Sequence, residues 1–415
     1  MISAQASETR ASASGYHADT TPKRRTLGMM SAASESSPRV QAILRALAPR
    51  LDTLITPALV LELDAVVHNI RAMTSFAGPG RWRPHVKTHK HPEVVRALLA
   101  EGVTAFKCAT LDELEMTLRA AGSTSVDVLL AYPLHPAAAT AAAQLATGAS
   151  HCQVRLLADS PDHLRQLDTA LASAPARLTA LLDVDVGMGR TGTPAQRWAE
   201  ASPSAHNLDL VGLHGYEGHL CWPQAEDAAR GYQQLTKLAD ALTFDVQWIV
   251  TSGTHAFHHA LDNSALRDGP WQHQVSPGTL VLSDLRTAPA AELLSLRQAA
   301  FVLSRVIATP GPGRITLDAG SKGLNPDCPP PGCAAVEHPT LRATAASEEH
   351  RPCQVEEGTL SLGDVVALIP EHVCTTVNLY RHAQLVRGDK DLGSSEVAAT
   401  SRSHDACAFK AVDPG

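Results

Sequence analysis

The chain has 415 residues, a formal net charge of -7 and 4% aromatic residues. This length allows about two domains with ample core, and the mildly acidic charge gives no reason to expect nucleic acid as a partner. No apolar run approaches the roughly 20 residues that a helix needs to span a bilayer. We therefore expect a helix-rich globular protein that binds neither nucleic acid nor a membrane.

The 8 cysteines are scattered along the chain, and no secretory signal precedes them. This distribution predicts reduced thiols in an intracellular, cytoplasmic protein. Residues 1–37 are rich in Ala, Ser, Thr and Arg and lack periodic apolar positions, which predicts disorder. An organellar targeting segment is the alternative, because basic residues outweigh acidic ones there.

The predicted elements alternate between helices and strands from residue 38 onwards. A short helix comes first, and a strand at 57–63 follows it. The later helices are predicted at 65–76, 92–100, 111–121, 136–146, 161–174 and 195–201. The later strands are predicted at 82–87, 105–109, 126–132, 153–158, 178–184, 210–216, 246–252 and 274–282. Such alternation is typical of parallel βαβ units.

Eight strands that alternate with helices over roughly 200–250 residues indicate a TIM-type (β/α)8 barrel. We place this barrel at residues 65–295. A doubly wound α/β sheet fits the alternation nearly as well, but polar motifs fall at the carboxyl ends of the strands, where barrel active sites form. The strand at 57–63 is then one too many, so residues 38–64 are predicted to be a helix and a strand that join a second domain.

The character of the sequence changes after residue 300, where short β-type runs are separated by turn residues. These runs lie at 301–308, 314–318, 354–356, 365–369 and 383–386. They predict a mainly antiparallel β domain over residues 296–387. Residues 388–415 are polar and irregular, and we expect them to form a frayed tail.

A basic segment, Arg83–Lys90, ends the first predicted barrel strand and reads Arg-Pro-His-Val-Lys-Thr-His-Lys. A lysine in a partly desolvated pocket loses its proton more readily, which makes Lys87 a candidate for forming a Schiff base. A solvated basic loop is the alternative, and it would be preferred for an isolated pair of lysines.

Small polar residues form two turns near the last two predicted strands. The turns are Thr251-Ser252-Gly253-Thr254 and Ser276-Pro277-Gly278-Thr279. Backbone N–H groups and hydroxyls in such turns hold phosphate, and barrels often bind phosphate after strands seven and eight. One such turn is weak support because these tripeptides are ordinary, but two turns together with a lysine on the first strand form a stronger pattern.

The motif Pro84–Lys90 resembles the cofactor-lysine segment of the pyridoxal-phosphate enzymes related to D-threonine aldolase and eukaryotic-type D-serine dehydratase. These enzymes have an alanine-racemase-like barrel, and the resemblance covers about residues 54–387. It implies that Lys87 forms the Schiff base with pyridoxal phosphate. The other cofactor contacts that it implies are His85, Arg190, Tyr216, Ser252, Gly253, Thr254, Gly278 and Thr279.

The resemblance places Arg190 against the pyridine nitrogen of the cofactor. A guanidinium is permanently charged and keeps that nitrogen unprotonated, so the ring is a weaker electron sink and a second electrophile must help the reaction. The alternative for Arg190 is a surface position in a loop, and the alternative for Tyr216 is a buried barrel tyrosine with no cofactor contact.

The second electrophile is suggested by the segment Pro370–Leu379, which resembles the metal motif H-x-C-x-T of the same family. On a strand, residues two apart project from one face, so His372 and Cys374 could bind one ion together. Imidazole plus thiolate suits Zn²⁺, with Mn²⁺ as the other candidate, and two protein ligands leave positions open for substrate or water. A buried cysteine that packs as a small hydrophobe is the alternative. Residues 347–350 resemble a further family segment that faces the site.

The resemblance implies a pyridoxal-phosphate- and metal-dependent lyase that acts on small β-hydroxy-D-amino acids, and it implies a homodimer. Family members that cleave the Cα–Cβ bond usually have an aspartate where Cys374 stands, so we favour a D-serine or D-threonine dehydratase. A D-threonine aldolase is the first alternative. An alanine-racemase-like isomerase and a non-catalytic pyridoxal-phosphate carrier are the others, and the metal motif has no role in either.

Overall fold

Two β-sheets organise the chain, one of seven parallel strands and one of nine mostly antiparallel strands. The computed structural model describes residues 38–220 and 222–412. The predicted disordered or targeting segment, residues 1–37, lies outside the described residues. Within the described part of the chain, the structure contains no helix that is both long enough and apolar enough to cross a membrane.

The first elements are a helix, a strand and a second helix that leads into the parallel sheet. They are α1 (38–47), β1 (Ala58–Glu62) and α2 (Leu63–Ala77). Glu62 caps α2, since its carboxylate accepts from the N–H groups of Asp64 and Ala65 at 2.9 and 2.8 Å. These two bonds satisfy N–H groups that the first turn of a helix leaves without backbone partners.

In the parallel sheet, strands that are neighbours in space are also consecutive in the chain, from β2 to β8. Its strands and helices are α3 (Pro92–Ala100), β2 (Ala105–Cys108), α4 (Leu111–Ala121), β3 (Asp127–Leu130), α5 (Pro136–Thr147), β4 (Gln153–Ala158), α6 (Pro161–Ala170), β5 (Leu178–Val184), α7 (Ala195–Ala201), β6 (Leu208–Gly215), α8 (Ala225–Ala241), β7 (Trp248–Thr251), α9 (Phe257–Asp262), α10 (Ser264–Arg267) and β8 (Gln272–Val275). The predicted alternation is confirmed. The sequence did not predict α8, although its 17 residues make it longer than the other helices of this list.

The first predicted barrel strand, at 82–87, does not form a regular strand in the structure. Trp82 forms a parallel bridge with Val275 of β8, and His85 forms one with Lys107 of β2, so this segment joins the two ends of the sheet. Pro84 has no N–H to donate, and the chain turns into a single 3-10 turn at Val86–Thr88, so no ladder develops. The predicted strand at 274–282 is likewise short, since β8 ends before Pro277. The (β/α)8 barrel class is confirmed, with one position reduced to two bridges.

The amino-terminal end of the barrel is filled by buried polar side chains. Arg83 has no exposed surface and donates to Gln274 Oε1 at 2.7 Å and to Asp127 Oδ1 at 2.8 Å. Arg155 Nη2 donates to Asp127 Oδ2 at 2.6 Å. The Arg155 guanidinium also lies 4.9 Å from the ring centroid of Trp248. One carboxylate between two guanidiniums thus joins β3, β4 and the segment of Arg83 at the end opposite the expected active site.

The second sheet forms the predicted β domain. Its later elements are α11 (Ala288–Leu294), β9 (Ala300–Gly311), β10 (Arg314–Leu317), β11 (Cys333–Ala335), β12 (Arg342–Ala343), β13 (Arg351–Gln354), β14 (Val365–Pro370), α12 (Val373–Val377), β15 (His382–Arg387) and β16 (Lys390–Glu396). β1 lies inside this sheet, antiparallel to β9 and parallel to β15. The prediction that the strand at 57–63 joins the later β region is therefore confirmed.

The prediction of an irregular tail from Gly388 is wrong. β15 and β16 form an antiparallel hairpin in which Arg387 pairs with Lys390, and Gly388 takes the positive φ of 58° that such a two-residue turn needs. β16 carries few apolar residues because it is an edge strand. Beyond it, Phe409 and Val412 are buried against the barrel helices, with 5% and 1% of their surface exposed.

Candidate active site

Lys87 lies at the carboxyl-terminal end of the barrel, in the 3-10 turn Val86–Thr88. His85 begins this turn, and its Nδ1 accepts from the N–H of Lys87 at 3.4 Å. The Lys87 side chain is exposed at the barrel mouth, whereas Thr88 is buried. The structure therefore brings His85 and Lys87 together as predicted, on a turn rather than on a strand.

A buried lysine lies beside this turn on the neighbouring strand β2. Lys107 is 3% exposed, and its Nζ is 2.8 Å from His214 Nε2. His214 Nδ1 is in turn 2.7 Å from Asp183 Oδ1. These three side chains come from β2, β6 and β5 and form one chain of contacts across the barrel interior.

The pKa shifts in this chain of contacts indicate which groups donate its hydrogen bonds and which accept them. Burial, and then the charge of Lys107, lower the pKa of His214. A neutral imidazole donates from one nitrogen and accepts at the other, so Nδ1–H donates to the carboxylate and Nε2 accepts from the lysine. Burial, and then the charge of Lys87, lower the pKa of Lys107 from 10.5 to about 7. Burial alone would raise the pKa of Asp183, but the charge and hydrogen bond of His214 lower it.

Arg190 and Tyr216 form a stacked pair at the same barrel end. The Arg190 guanidinium lies 4.7 Å from the Tyr216 ring centroid. The ring is held between two glycines, since a Cβ at Gly218 would lie 2.2 Å from Tyr216 Cε1 and one at Gly253 would lie 2.9 Å from Cε2. Arg190 is exposed but is oriented by an aromatic ring inside the site, which disfavours the alternative of an unrelated surface arginine.

The first phosphate turn is shaped by a buried glutamate that the sequence did not predict to matter. The hydroxyl and N–H of Ser252 lie 2.5 and 3.2 Å from the carboxylate oxygens of Glu217. The Tyr232 hydroxyl donates to the same carboxylate at 2.5 Å, and burial, together with that carboxylate, raises the pKa of Tyr232. Both donors of Ser252 are therefore engaged with Glu217, and its role as a phosphate contact stays a prediction. Contacts from Gly253 and Thr254 stay a prediction.

The second turn supplies donors that fit a phosphate. Ser276 is 4% exposed, and its hydroxyl has no hydrogen-bond partner among the residues that the structure describes. Gly278 packs so closely that a Cβ there would lie 2.4 Å from the carbonyl oxygen of His85. The N–H of Ser276 donates to Ser252 O at 3.1 Å and joins the two turns. A buried hydroxyl without a partner beside a closely packed glycine is compatible with a phosphate at this turn, and contacts from Gly278 and Thr279 stay a prediction.

The predicted metal pair lies on a helix rather than a strand. His372 is the residue before α12, and Cys374 lies in the first turn of that helix. Burial alone would raise the pKa of Cys374, but the hydrogen bond and charge of His372 lower it. Burial opposes the charged imidazole too, but the contacts with Cys374 and Asp327 raise the pKa of His372 to about 9.

A carboxylate orients the imidazole of this pair. His372 Nδ1 lies 2.6 Å from Asp327 Oδ2, and the Thr375 hydroxyl donates to Asp327 Oδ1 at 2.6 Å. Metal-bound histidines commonly make such a contact, which leaves the other ring nitrogen free for an ion. Across residues 38–220 and 222–412, no group of three or more His, Cys, Asp or Glu side chains could hold a metal. A metal site with His372 and Cys374 as its two protein ligands therefore stays a prediction.

The metal pair and the cofactor turn meet between the two sheets. Thr88 Oγ1 lies 3.3 Å from Cys374 Sγ, and Thr279 Oγ1 lies 3.6 Å from the same sulfur. Thr88 follows Lys87 in the chain, so the thiol is adjacent to the lysine turn. Residues 347–350, in contrast, are exposed and contact Ser321 and Lys322, and their role in the site stays a prediction.

A barrel with an exposed lysine at its carboxyl end, joined to a second, mainly antiparallel β domain, is the architecture of the fold-type III class of pyridoxal-phosphate enzymes. The comparisons agree with this class. The model of the alanine racemase N-terminal domain matches residues 61–282, and a model of a serine dehydratase domain matches residues 299–386. The chain belongs to the alanine racemase N-terminal domain family.

Similar proteins narrow the class. The chain is 29% identical over 360 residues to the D-threonine aldolase of an Arthrobacter species, which covers 80% of this chain and 89% of that protein. The structure of D-threonine aldolase from Filomicrobium marinum matches with a TM-score of 0.73 and 24% identity, over 84% of this chain and 96% of that one. The structure of D-threo-3-hydroxyaspartate dehydratase from Delftia sp. HT23 matches with a TM-score of 0.66 and 22% identity, over 83% of this chain and 98% of that one. The predicted family, fold class and pyridoxal-phosphate-dependent lyase type are confirmed.

Proposed function

We propose that the protein is a pyridoxal-phosphate- and zinc-dependent dehydratase that converts a small β-hydroxy-D-amino acid into a 2-oxo acid and ammonia. One observation carries this proposal, namely that the sulfur of Cys374 lies 3.3 Å from Thr88 Oγ1, beside the turn that carries Lys87. This contact supports the proposal because the Cys374 sulfur, with His372 beside it, lies next to the lysine that we assign to the cofactor.

The protein's own residues would divide the work at the substrate. Lys87 Nζ would take the proton from the substrate Cα. Arg190, oriented by Tyr216, is the residue that we assign to the pyridine nitrogen, where it donates a hydrogen bond but carries no proton to or from the ring. Pyridoxal phosphate supplies the electron sink for the negative charge that develops at Cα.

His372 and Cys374 are the residues that would hold the ion, with Asp327 orienting the imidazole. Imidazole plus thiolate suits Zn²⁺, whereas a carboxylate in place of the thiolate would suit a harder ion such as Mn²⁺. The ion supplies Lewis acidity toward the β-hydroxyl, which makes hydroxide a tolerable leaving group. Loss of water from D-threonine, followed by hydrolysis of the resulting enamine, gives 2-oxobutanoate and ammonia.

Aldol cleavage is the second candidate, and the 29% identity to a D-threonine aldolase over 360 residues favours it. The same groups would then remove the proton of the β-hydroxyl, and the Cα–Cβ bond of D-threonine would break to give glycine and acetaldehyde. The metal pair has no role in simple racemisation, and the β domain with this pair has none in a cofactor carrier. A homodimer is part of the proposal on the strength of the family resemblance.

Product analysis tests the two reactions directly. Protein loaded with pyridoxal phosphate and Zn²⁺ is incubated with D-threonine and with D-serine, and the products are separated and identified by mass spectrometry. We expect 2-oxobutanoate and pyruvate, each with one equivalent of ammonia. Glycine with acetaldehyde would establish the aldolase instead, and no product from either substrate would contradict both candidates for these amino acids. The Cys374→Asp variant is the matched control for the dependence on the thiolate.

A further inference from the structure

Lys107 is a buried side chain for which the proposed reaction has no role. It lies on β2 directly beside the segment that carries Lys87, since its N–H donates to Pro84 O at 3.0 Å and it forms a parallel bridge with His85. Its side chain enters the barrel interior, where it is 3% exposed and lies 5.7 Å from the Tyr216 ring centroid. Two lysines, Lys107 and Lys87, therefore lie on adjacent segments at the same end of the barrel.

The hydrogen-bond contact of Lys107 can form whether its amine is charged or neutral. A buried ammonium ordinarily has a carboxylate as its direct partner. Lys107 contacts an imidazole instead, at 2.8 Å from His214 Nε2, and the carboxylate of Asp183 lies beyond that ring. An ammonium and a neutral amine can both donate one hydrogen to this nitrogen, so Lys107 can change charge without losing its contact.

The charged groups around Lys107 explain why its charge is finely balanced. They come from three parts of the barrel and are His85 and Lys87, Asp183 and Arg190, and His214 and Glu217. The cations oppose a further positive charge and the carboxylates favour it, while burial lowers the pKa of Lys107 to about 7. Lys107 therefore gains or loses its proton close to neutral pH.

We propose that Lys107 is a positioning residue that controls the protonation of the linkage between Lys87 and pyridoxal phosphate. The charge of Lys87 lowers the pKa of the buried Lys107. Like charges disfavour each other in both directions, so a proton on Lys107 disfavours a proton on the linkage, and a positive charge that Lys87 gains in the reaction disfavours the proton on Lys107. The inference depends on cofactor binding at Lys87 and holds for dehydration and aldol cleavage alike.

The experiment follows the visible absorbance of the bound cofactor as a function of pH, without any substrate. The variants are Lys107→Met and Lys107→Arg, with Lys237→Met as the control for an exposed lysine on α8. Cofactor stoichiometry is measured for each variant before the titration. Because this readout needs no turnover, its result is independent of which lyase reaction the protein catalyses.

Loss of the neighbouring cation should stabilise the protonated linkage. We expect the midpoint of the absorbance titration to rise by roughly one pH unit in Lys107→Met. Lys107→Arg keeps a permanent charge and should have a midpoint at or below that of the wild type, while Lys237→Met should not differ from it. A fully loaded Lys107→Met with the wild-type midpoint would overturn the proposal. If Lys107→Met does not load, a loaded Lys107→Arg whose midpoint lies above that of the wild type would overturn it as well.

Discussion

The two ends of the barrel both bury charged side chains, but they do so in different ways. At the amino-terminal end, the carboxylate of Asp127 contacts the permanently charged guanidiniums of Arg83 and Arg155 directly. At the carboxyl-terminal end, Lys107 reaches a carboxylate only through His214, and all three groups of that chain titrate. The first arrangement fixes its charges and stabilises the fold, whereas the second leaves a charge free to change. Buried charge alone therefore does not identify an active site; the type of partner does.

The largest effect is expected at the carboxyl-terminal end. Lys87→Ala removes the amine that binds the cofactor and the base that we assign to the α proton, so the turnover rate should fall by at least about 10²- to 10⁴-fold. The variant should also lose the visible absorbance of bound pyridoxal phosphate, measured after dialysis. A variant that kept this absorbance would mean that another lysine binds the cofactor, and Lys107 would be the first to examine.

The amino-terminal end should respond in stability rather than in activity. Asp127→Ala leaves two guanidiniums without their carboxylate, and breaking a buried ion pair in this way costs about 3–5 kcal/mol. Urea unfolding of the cofactor-loaded protein measures the loss, and the absorbance of the folded variant should match that of the wild type. Asp389→Ala, in the exposed turn between β15 and β16, is the control. A changed cofactor spectrum in Asp127→Ala would break the distinction between the two ends.

The contacts of Asp127 with its two arginines also predict how the stability of the protein depends on pH. Burial alone would raise the pKa of Asp127, but the charges of Arg83 and Arg155 lower it from the ordinary value of 3.8. A carboxyl group with a depressed folded-state pKa contributes stability above its unfolded pKa and loses it as the pH falls through its folded pKa. The difference in unfolding free energy between the wild type and Asp127→Ala should therefore shrink below about pH 4. A difference that grew in acid would contradict the assignment.

A smaller effect should appear where the β domain meets the barrel. Asp327→Asn removes the carboxylate that orients His372, and changes of this kind typically reduce metal affinity by about 10- to 100-fold. Competition with a chelator measures the Zn²⁺ affinity, and Asp389→Asn is the matched control. Unchanged affinity would exclude His372 as a zinc ligand held in this orientation.

The smallest effect concerns the contact between the two halves of the site. Thr88→Val removes the hydroxyl that lies 3.3 Å from Cys374 Sγ. One neutral hydrogen bond contributes about 0.5–1.5 kcal/mol, so Zn²⁺ affinity should fall by roughly two- to tenfold. Thr279→Val, at the longer distance of 3.6 Å, should have the smaller effect of the two in the same chelator assay. The reverse order would show that Thr279 is the closer partner in solution.

Most of the barrel could be predicted because many of its helices begin with signals in the local sequence. Helices α3, α5 and α6 begin with a side-chain cap and a proline in the first turn. Helix α8 has neither, so only its buried positions Ala228, Tyr232, Leu235 and Leu238 reveal it. Helix α8 was therefore missed because it lacks capping signals, although the periodicity of its apolar residues could have predicted it.

The residues of the site show where local sequence misleads. Val373–Val377 reads Val-Cys-Thr-Thr-Val, a composition that favours a strand, and yet it forms a helix. The reason is tertiary, since Asp284 Oδ2 accepts from the N–H of Val373 at 3.0 Å and Asn325 Oδ1 accepts from that of His372 at 3.0 Å. Lys107 had no local signal beyond one charge in the apolar strand Ala105–Cys108. Its importance depends on side chains from distant strands, which no spacing in the sequence displays.

The position of β1 has a consequence for the order in which the molecule assembles. This strand is made early, but its partners β9 and β15 are more than two hundred residues away, as in the pairs of Leu59 with Val302 and Ala383. The barrel consists of neighbours in the chain and can form as it is synthesised, whereas contacts between distant segments close slowly. During biosynthesis the lysine half of the site should therefore be folded before the histidine–thiol half exists. If Lys87 holds pyridoxal phosphate and His372 with Cys374 holds an ion, as we propose, the cofactor site forms before the metal site.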